Sequence, residues 1–201
     1  MNGTLFIVSG PTGVGKTTLI ENFIQECGAL YNIKRCVAFT TRKPRKNEVN
    51  GKDYHFISQD EFDQKIEQNF FLEWSDVYIY KYGTPKSILH HLEVGQSYIL
   101  IIDRAGTKKI LDQYKDVSIV TLFITVSTLD ILINRLSLRN SEAEEVKKIR
   151  LSRSFDEIKN EKNKKLYQFT IINDDYVKSF DALKSLFKQV FFNLKKIIEK
   201  T

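Results

Sequence analysis

The sequence predicts an α/β fold built on an open, mainly parallel sheet with helices on both faces. Strand-length apolar runs rich in β-formers alternate with stretches in which apolar residues recur at helical spacing. A glycine-rich turn joins the first strand to the first helix. The longest apolar runs, Tyr98 to Ile102 and Ile119 to Val126, have the length of buried strands and fall far short of a membrane span.

Leu5 to Ser9 reads as the first strand, and Leu19, Ile20, Phe23 and Ile24 form the apolar face of the helix after it, with Gly28 as its stop. Ile33 to Phe39 reads as a second strand, interrupted in character by Lys34 and Arg35. From Thr40 to Gly51 the chain becomes basic and turn-forming. Ser58-Gln59-Asp60-Glu61 has capping-box spacing and opens a short helix with Phe62 and Ile66 on one face. Pro85 fits the first position of a helix ending near Gly95. Ser97 to Ile102 is a buried strand ending at Asp103, followed by a helix through Lys108, Ile110 and Leu111 and a strand from Val117 to Thr125. Thr128 to Arg139 is helical with Leu129, Leu132, Ile133 and Leu136 on its apolar face, and the charged stretch Asn140 to Lys165 is helical but poor in apolar residues. That stretch is expected to stand out from the core as a mobile element. Phe169 to Ile172 is the last strand and Ser179 to Lys200 the last helix.

Composition narrows the function classes. The chain has 201 residues, 42% hydrophobic, enough for one domain with a real core. Cys27 and Cys36 form no CxxC pair, and His55, His90 and His91 lack zinc-ligand spacing, so reduced thiols, a cytoplasmic location and no structural metal are expected. Nothing in the opening residues reads as an export signal. The net charge of +6 comes from lysine clusters in helical patterns also dense in acids, as on solvated helix faces. Neither nucleic acid nor membrane is expected as a partner, and oligomeric state, monomer or homodimer, is left open.

Gly10-Pro11-Thr12-Gly13-Val14-Gly15-Lys16-Thr17, followed by Thr18, matches the GxxxxGK[ST] pattern between a predicted strand and a predicted helix. Such a turn aims backbone N–H groups at phosphate from a helix N-terminus, with the lysine reaching the β- and γ-phosphates and the Thr17 hydroxyl a ligand for Mg²⁺. An ordinary glycine turn does not account for Lys16-Thr17 at that point. The segment Thr40 to Phe56 then offers Arg42 and Arg45 on non-helical backbone with Tyr54 close behind, a donor set suited to a dianionic phosphate.

With these pieces in view, the chain resembles guanylate kinase, a P-loop nucleoside monophosphate kinase, over essentially its whole length. The resemblance rests on GPTGVGKTT at Gly10, TTRKPRKNEVNGKDYHF at Thr40, FLEW at Phe71, YGT at Tyr82, the strand ending in Asp103, RLSLR at Arg135, Arg150, and IINDD at Ile171. It implies transfer of the γ-phosphoryl group of ATP to GMP or dGMP with Mg²⁺. It implies further that Arg42, Arg45, Tyr54 and Tyr82 hold the GMP phosphate, and that Glu73, Thr84 and Asp103 contact guanine or lie beside it. Arg135, Arg139 and Arg150 match lid arginines over the ATP phosphates, and Asn173 a position near adenine. With Lys16 and Arg42, those arginines would supply the cations around the transferring group. The implied organisation is a core of 1–39, 90–138 and 166–201, a GMP-binding insert of 40–89 and a lid of 139–165. Guanine's N1–H and N2–H₂ donors suit a carboxylate such as Glu73, whereas adenine would leave it unpaired.

Four positions depart from the family pattern. Ala38 stands where a serine is usual, Ile101 where an acid is usual, Arg104-Ala105-Gly106 where hydrophobic-Gln-Gly is usual, and Asn140 where the lid arginine is followed by glycine. Three other readings compete: an inactive guanylate-kinase-like domain that binds a peptide, a kinase for AMP or UMP, and a basic nucleic-acid-binding module. Gly15, Lys16, Thr17 and both clamp arginines oppose the first, Glu73 with the clamp opposes the second, and the third lacks interleaved aromatics.

Overall fold

The computed structural model describes residues 2–77, 79–137 and 144–198. A five-stranded, mainly parallel sheet runs in the order β2-β7-β1-β8-β9, where β1 is Leu5–Ser9, β2 Ile33–Arg35, β7 Ser97–Ile101, β8 Ile119–Thr125 and β9 Phe169–Ile172. A second sheet of four strands has the order β4-β3-β6-β5, with β3 at Phe39–Thr40, β4 at His55–Phe56, β5 at Phe71–Val77 and β6 at Tyr80–Pro85. The helices are α1 (Lys16–Cys27), α2 (Gln59–Glu67), α3 (Ile88–Glu93), α4 (Arg104–Gln113), α5 (Leu129–Ser137), α6 (Glu144–Asn163) and α7 (Tyr176–Ile198). None of the described helices is long and apolar enough to cross a membrane.

The chain partitions into two compact units, 1–7 with 34–120, and 8–33 with 121–201. In the first, Leu5, Ile7, Cys36, Leu72, Ile88, Leu92, Leu100 and Ile110 form a buried cluster, with Tyr114 and Val117 packed on it. In the second, α1 lies against α7, and the Phe23 and Phe187 rings meet 4.2 Å apart, both fully buried. Burial of each such side chain contributes about 1.5–3 kcal/mol.

The expected capping box is present. Ser58 Oγ accepts from the Glu61 backbone N–H, and the Glu61 carboxylate accepts from the Ser58 N–H at 2.8 Å. Elsewhere the boundaries move for physical reasons. The run Ile33 to Phe39 is two strands, because the Cys36 N–H bonds to Ile99 O in the first sheet while the Ala38 carbonyl takes the His55 N–H in the second. Pro85 ends β6 instead of opening a helix; at a strand end its missing N–H leaves no gap in a ladder, and α3 begins at Ile88 after Ser87. α7 starts at Tyr176, three residues earlier than expected, because Asp175 Oδ1 takes the Lys178 N–H as a cap. Along α6, Ile149 and Phe155 are half exposed, whereas Ser154 and Glu161 are buried.

Candidate active site

The phosphate loop forms as its glycines require. Gly10, Gly13 and Gly15 all have positive φ, and a Cβ on Gly10 would stand 1.9 Å from the Ile124 carbonyl oxygen. No other residue fits there. Gly15 precedes α1 in the left-handed conformation and, having no side chain, leaves the first-turn N–H groups without a cap from the N-cap position. Lys16 folds back over it, its Nζ donating to Gly10 O at 2.6 Å and Pro11 O at 2.8 Å. Thr17 and Thr18 are exposed on the first turn.

Asn173, on the chain leaving β9, is buried against this loop. Its Nδ2 donates to Val14 O at 2.6 Å and its backbone N–H to Thr125 O at 2.7 Å, while Oδ1 is buried without a hydrogen-bond partner among the described residues. The side chain therefore fastens the loop to the end of β9. Arg135 Nη2 donates to Asp174 O at 3.1 Å, and Arg150 is half-buried on α6. Arg139 and Asn140 lie outside the described residues. A larger apolar cleft of about 700 Å³, lined by α6, β8 and β9, contains none of these side chains.

In the other unit three of the four residues expected to form the clamp, Arg42, Tyr54 and Tyr82, lie together. Arg42 Nε donates to Tyr82 Oη at 3.2 Å, and its guanidinium lies 5.5 Å from the Tyr54 ring centre. Tyr54 and Tyr82 meet edge to face at 5.7 Å. Both Arg42 terminal nitrogens bond to the Glu48 carboxylate at 2.8 Å, and the Arg45 N–H also donates to Glu48, while the Arg45 side chain remains over half exposed. Burial works against the Arg42 charge, but the Glu48 and Tyr82 bonds override it and raise its pKa. Burial likewise raises Glu48, but the Arg42 and Arg45 bonds outweigh it and hold the carboxyl below its usual value.

Glu48 was not among the expected site residues. It is the sole acid within the basic run 42–52, a signal available from the sequence, yet only the fold shows that it neutralises Arg42. A carboxylate presents two oxygens to a guanidinium fork much as a phosphate does.

Glu73, on β5, is 6% exposed and stands opposite Thr84 of β6, whose Oγ1 donates to Oε1 at 2.8 Å. Oε2 has no hydrogen-bond partner among the described residues. Burial pushes the Glu73 carboxyl up to about 7; the Thr84 bond and Lys109 oppose this, and the Asp103 charge adds to it. Asp103 caps α4, accepting from the Gly106 N–H at 2.7 Å and from Ser75 Oγ at 2.8 Å. A Cβ at Gly106 would come within 2.6 Å of Glu73 Oε2, so the glycine keeps room beside the carboxylate. Ser75, like Glu48, escaped the sequence reading. Ala38, Ile101 and Thr84 share the lining of one small pocket with Tyr54, so the two departures at 38 and 101 make that wall apolar.

Among the described residues no three acidic, cysteine or histidine side chains gather to hold a metal, and Thr17 offers one hydroxyl. That donor set fits a cation that arrives with nucleotide phosphates and not one held by protein alone.

Comparison with known proteins identifies the family. Residues 2–190 match the family described as Guanylate kinase. The chain is 37% identical to a guanylate kinase of Maricaulis maris over 92% of its own length and 82% of that protein's, and 40% identical to one of Blochmanniella floridana over 87% and 81%. Its fold superposes on the crystal structure of guanylate kinase from Anaplasma phagocytophilum with a TM-score of 0.73 and 26% identity, covering 94% of this chain and 86% of that one. The chain belongs to the guanylate kinase family and is a nucleoside monophosphate kinase.

Proposed function

We propose that the chain carries out the ATP:GMP phosphotransfer of its family with the residues described above in the following roles. Arg42, Arg45, Tyr54 and Tyr82 bind the GMP phosphate. Glu73 accepts the guanine N1–H and N2–H₂ donors, with Thr84 orienting the carboxylate and Asp103 fixing the start of α4 beside it. The loop Gly10 to Thr18 binds the ATP phosphates, Lys16 swinging from the Gly10 and Pro11 carbonyls onto the β- and γ-phosphates. Asn173 holds that loop in shape near the adenine side, and Arg135, Arg139 and Arg150 add positive charge around the transferring group. Residues 40–89 serve as the acceptor-binding insert and 139–165 as the lid over a core of 1–39, 90–138 and 166–201.

Thr17 would be the one protein ligand of Mg²⁺, which when bound with ATP neutralises charge on the β- and γ-phosphates. Phosphoryl transfer asks the protein for placement and electrostatic stabilisation, so no nucleophilic side chain is needed. In this reading Glu48 keeps Arg42 extended until the GMP phosphate shares its donors. The free, buried thiols of Cys27 and Cys36 suit a cytoplasmic enzyme.

The observation that carries the choice of GMP is the buried Glu73 with one oxygen unpaired among the described residues, in the same unit as the arginine–tyrosine clamp. Adenine presents an acceptor where guanine presents N1–H and would leave that carboxylate uncompensated. The deciding experiment is a coupled ADP-release assay with ATP, Mg²⁺ and GMP, dGMP, AMP, UMP or CMP in turn. Turnover with GMP or dGMP well above the others is expected; equal turnover with AMP would overturn the role of Glu73.

A further inference from the structure

Arg35, the last residue of β2, has no role in the functions assigned so far. Its Nη2 donates to the Asp53 carbonyl oxygen at 3.1 Å, and its guanidinium carbon lies 5.9 Å from the centre of the Tyr54 ring. The parallel pairing of β3 with β4 explains the meeting. Phe39 is opposite His55 and Thr40 opposite Phe56, so the chain before β3 runs beside the chain before β4 and brings a long side chain at 35 onto residues 53 and 54. Arg42 approaches the same ring to 5.5 Å, so two guanidinium groups lie against one phenol. Arg35 also lines the small pocket that Ala38, Tyr54 and Thr84 share, and Thr84 is the residue bonded to Glu73.

We propose that Arg35 is a positioning residue of the monophosphate site: bonded to the Asp53 carbonyl and set against the Tyr54 ring, it holds the Tyr54 hydroxyl where the phosphate of GMP arrives. The proposal rests on the reading of Arg42, Arg45, Tyr54 and Tyr82 as the phosphate clamp. Three physical points support it. A planar guanidinium can bond a carbonyl with its edge while its charge faces an aromatic ring, which an ammonium does less well. Tyr54 immediately precedes β4, a two-residue strand at the edge of its sheet, and outside the named strands its backbone pairing is a single bridge to Asn50. Burial raises the Tyr54 phenol above its usual pKa, while both arginines favour negative charge at its oxygen. A neutral hydroxyl that donates to phosphate is what such a site requires.

The simpler role for Arg35 is to place a charge on β2, an edge strand, and so discourage pairing with other chains. Kinetics separate the two. Arg35→Ala is expected to raise KM for GMP about three- to tenfold, with KM for ATP moving far less, because the lost contacts include a charge-assisted hydrogen bond and a cation–π contact. In a Tyr54→Phe background the same substitution should change KM for GMP little, since the hydroxyl it positions is gone. Inhibition by guanosine, which lacks the phosphate, should be unchanged. Arg35→Met, which keeps the aliphatic stem and most of the volume, serves where Arg35→Ala folds poorly and should show the same KM shift; Arg35→Lys should restore only part of it.

An unchanged KM for GMP, the full effect persisting without the Tyr54 hydroxyl, or an equal loss toward guanosine would each overturn the proposal. Arg42→Ala, assayed in parallel, tests the parent reading. If Arg42→Ala weakens GMP and Arg35→Ala does not, only the positioning role falls. If Arg42→Ala leaves GMP unaffected, the clamp itself is wrong and the role of Arg35 falls with it.

Discussion

Thr84 Oγ1 donates to Glu73 Oε1 at 2.8 Å across the β5–β6 pair and leaves Oε2 buried beside Gly106. One oxygen is thereby oriented while the other is held ready for a donor that the described residues do not supply. The arrangement stores a cost, because ionising a buried, half-satisfied carboxylate is unfavourable until a ligand completes it.

That cost gives a pH signature. Burial holds the Glu73 carboxyl up to about 7, so on acidification through that value the protonated form can no longer accept both guanine donors. KM for GMP should rise as pH falls below about 7, whereas KM for ATP should not follow it. Steady-state kinetics between pH 5.5 and 8.5 would check this; parallel changes in both constants would remove Glu73 as the cause.

The same group sets a stability trend. Its folded pKa exceeds the unfolded one, so between the two values the folded state binds more protons and stability falls as pH rises. Glu73→Gln, which cannot ionise, should be more stable than the parent by about 1–3 kcal/mol at pH 8. The difference should vanish near pH 4.5, below the range in which folded Glu73 loses its proton. Thermal unfolding at the two pH values measures it. Discrimination of GMP against AMP should weaken in the same variant.

Glu48 holds Arg42 by two bonds of 2.8 Å. Glu48→Gln removes the charge and one acceptor, so it should cost about 1 kcal/mol of stability and raise KM for GMP several-fold as Arg42 loses its fixed direction. A fall in KM would instead mean that Glu48 chiefly competes with the phosphate.

Lys16 Nζ donates to the Gly10 and Pro11 carbonyls of its own loop. Lys16→Ala should lower kcat by orders of magnitude while stability changes by less than about 1 kcal/mol. Near-normal turnover in a folded variant would refute its role at the phosphates.

Asn173→Ala strips the Val14 carbonyl of its buried donor and should cost about 1–3 kcal/mol. It should also weaken ATP binding more than GMP binding, since the loop it fastens is the one proposed to bind ATP. Calorimetry with each nucleotide separately would read this.

Much of the site was legible along the chain because its parts are local. The phosphate loop, the Ser58 capping box and the arginine–tyrosine segment each depend on backbone conformation or side-chain type within a few residues, and spacing reports such things directly. Strands β5 and β6 were less visible. FLEWSDV and YKYGTP mix polar and apolar residues without clean alternation, and they become strands by pairing with each other and, for β6, with β3. The split of Ile33 to Phe39 between two sheets has the same origin, since the partners Ile99 and His55 are far along the chain.

The sequence by itself showed a GxxxxGK[ST] loop opening α1 and a basic, tyrosine-bearing segment after it, and marked the chain as an α/β kinase of the guanylate kinase type. Only the tertiary structure decided which partner each functional group has: Glu48 on Arg42, Thr84 on Glu73, Arg35 on Asp53 and Tyr54, and Asn173 on Val14. The reason is physical. Helix period, turn geometry and chemical type are properties of neighbours in sequence. Burial, and with it the raised pKa of Glu73 and the strength of each pairing, depends on segments that come together only when the chain has folded.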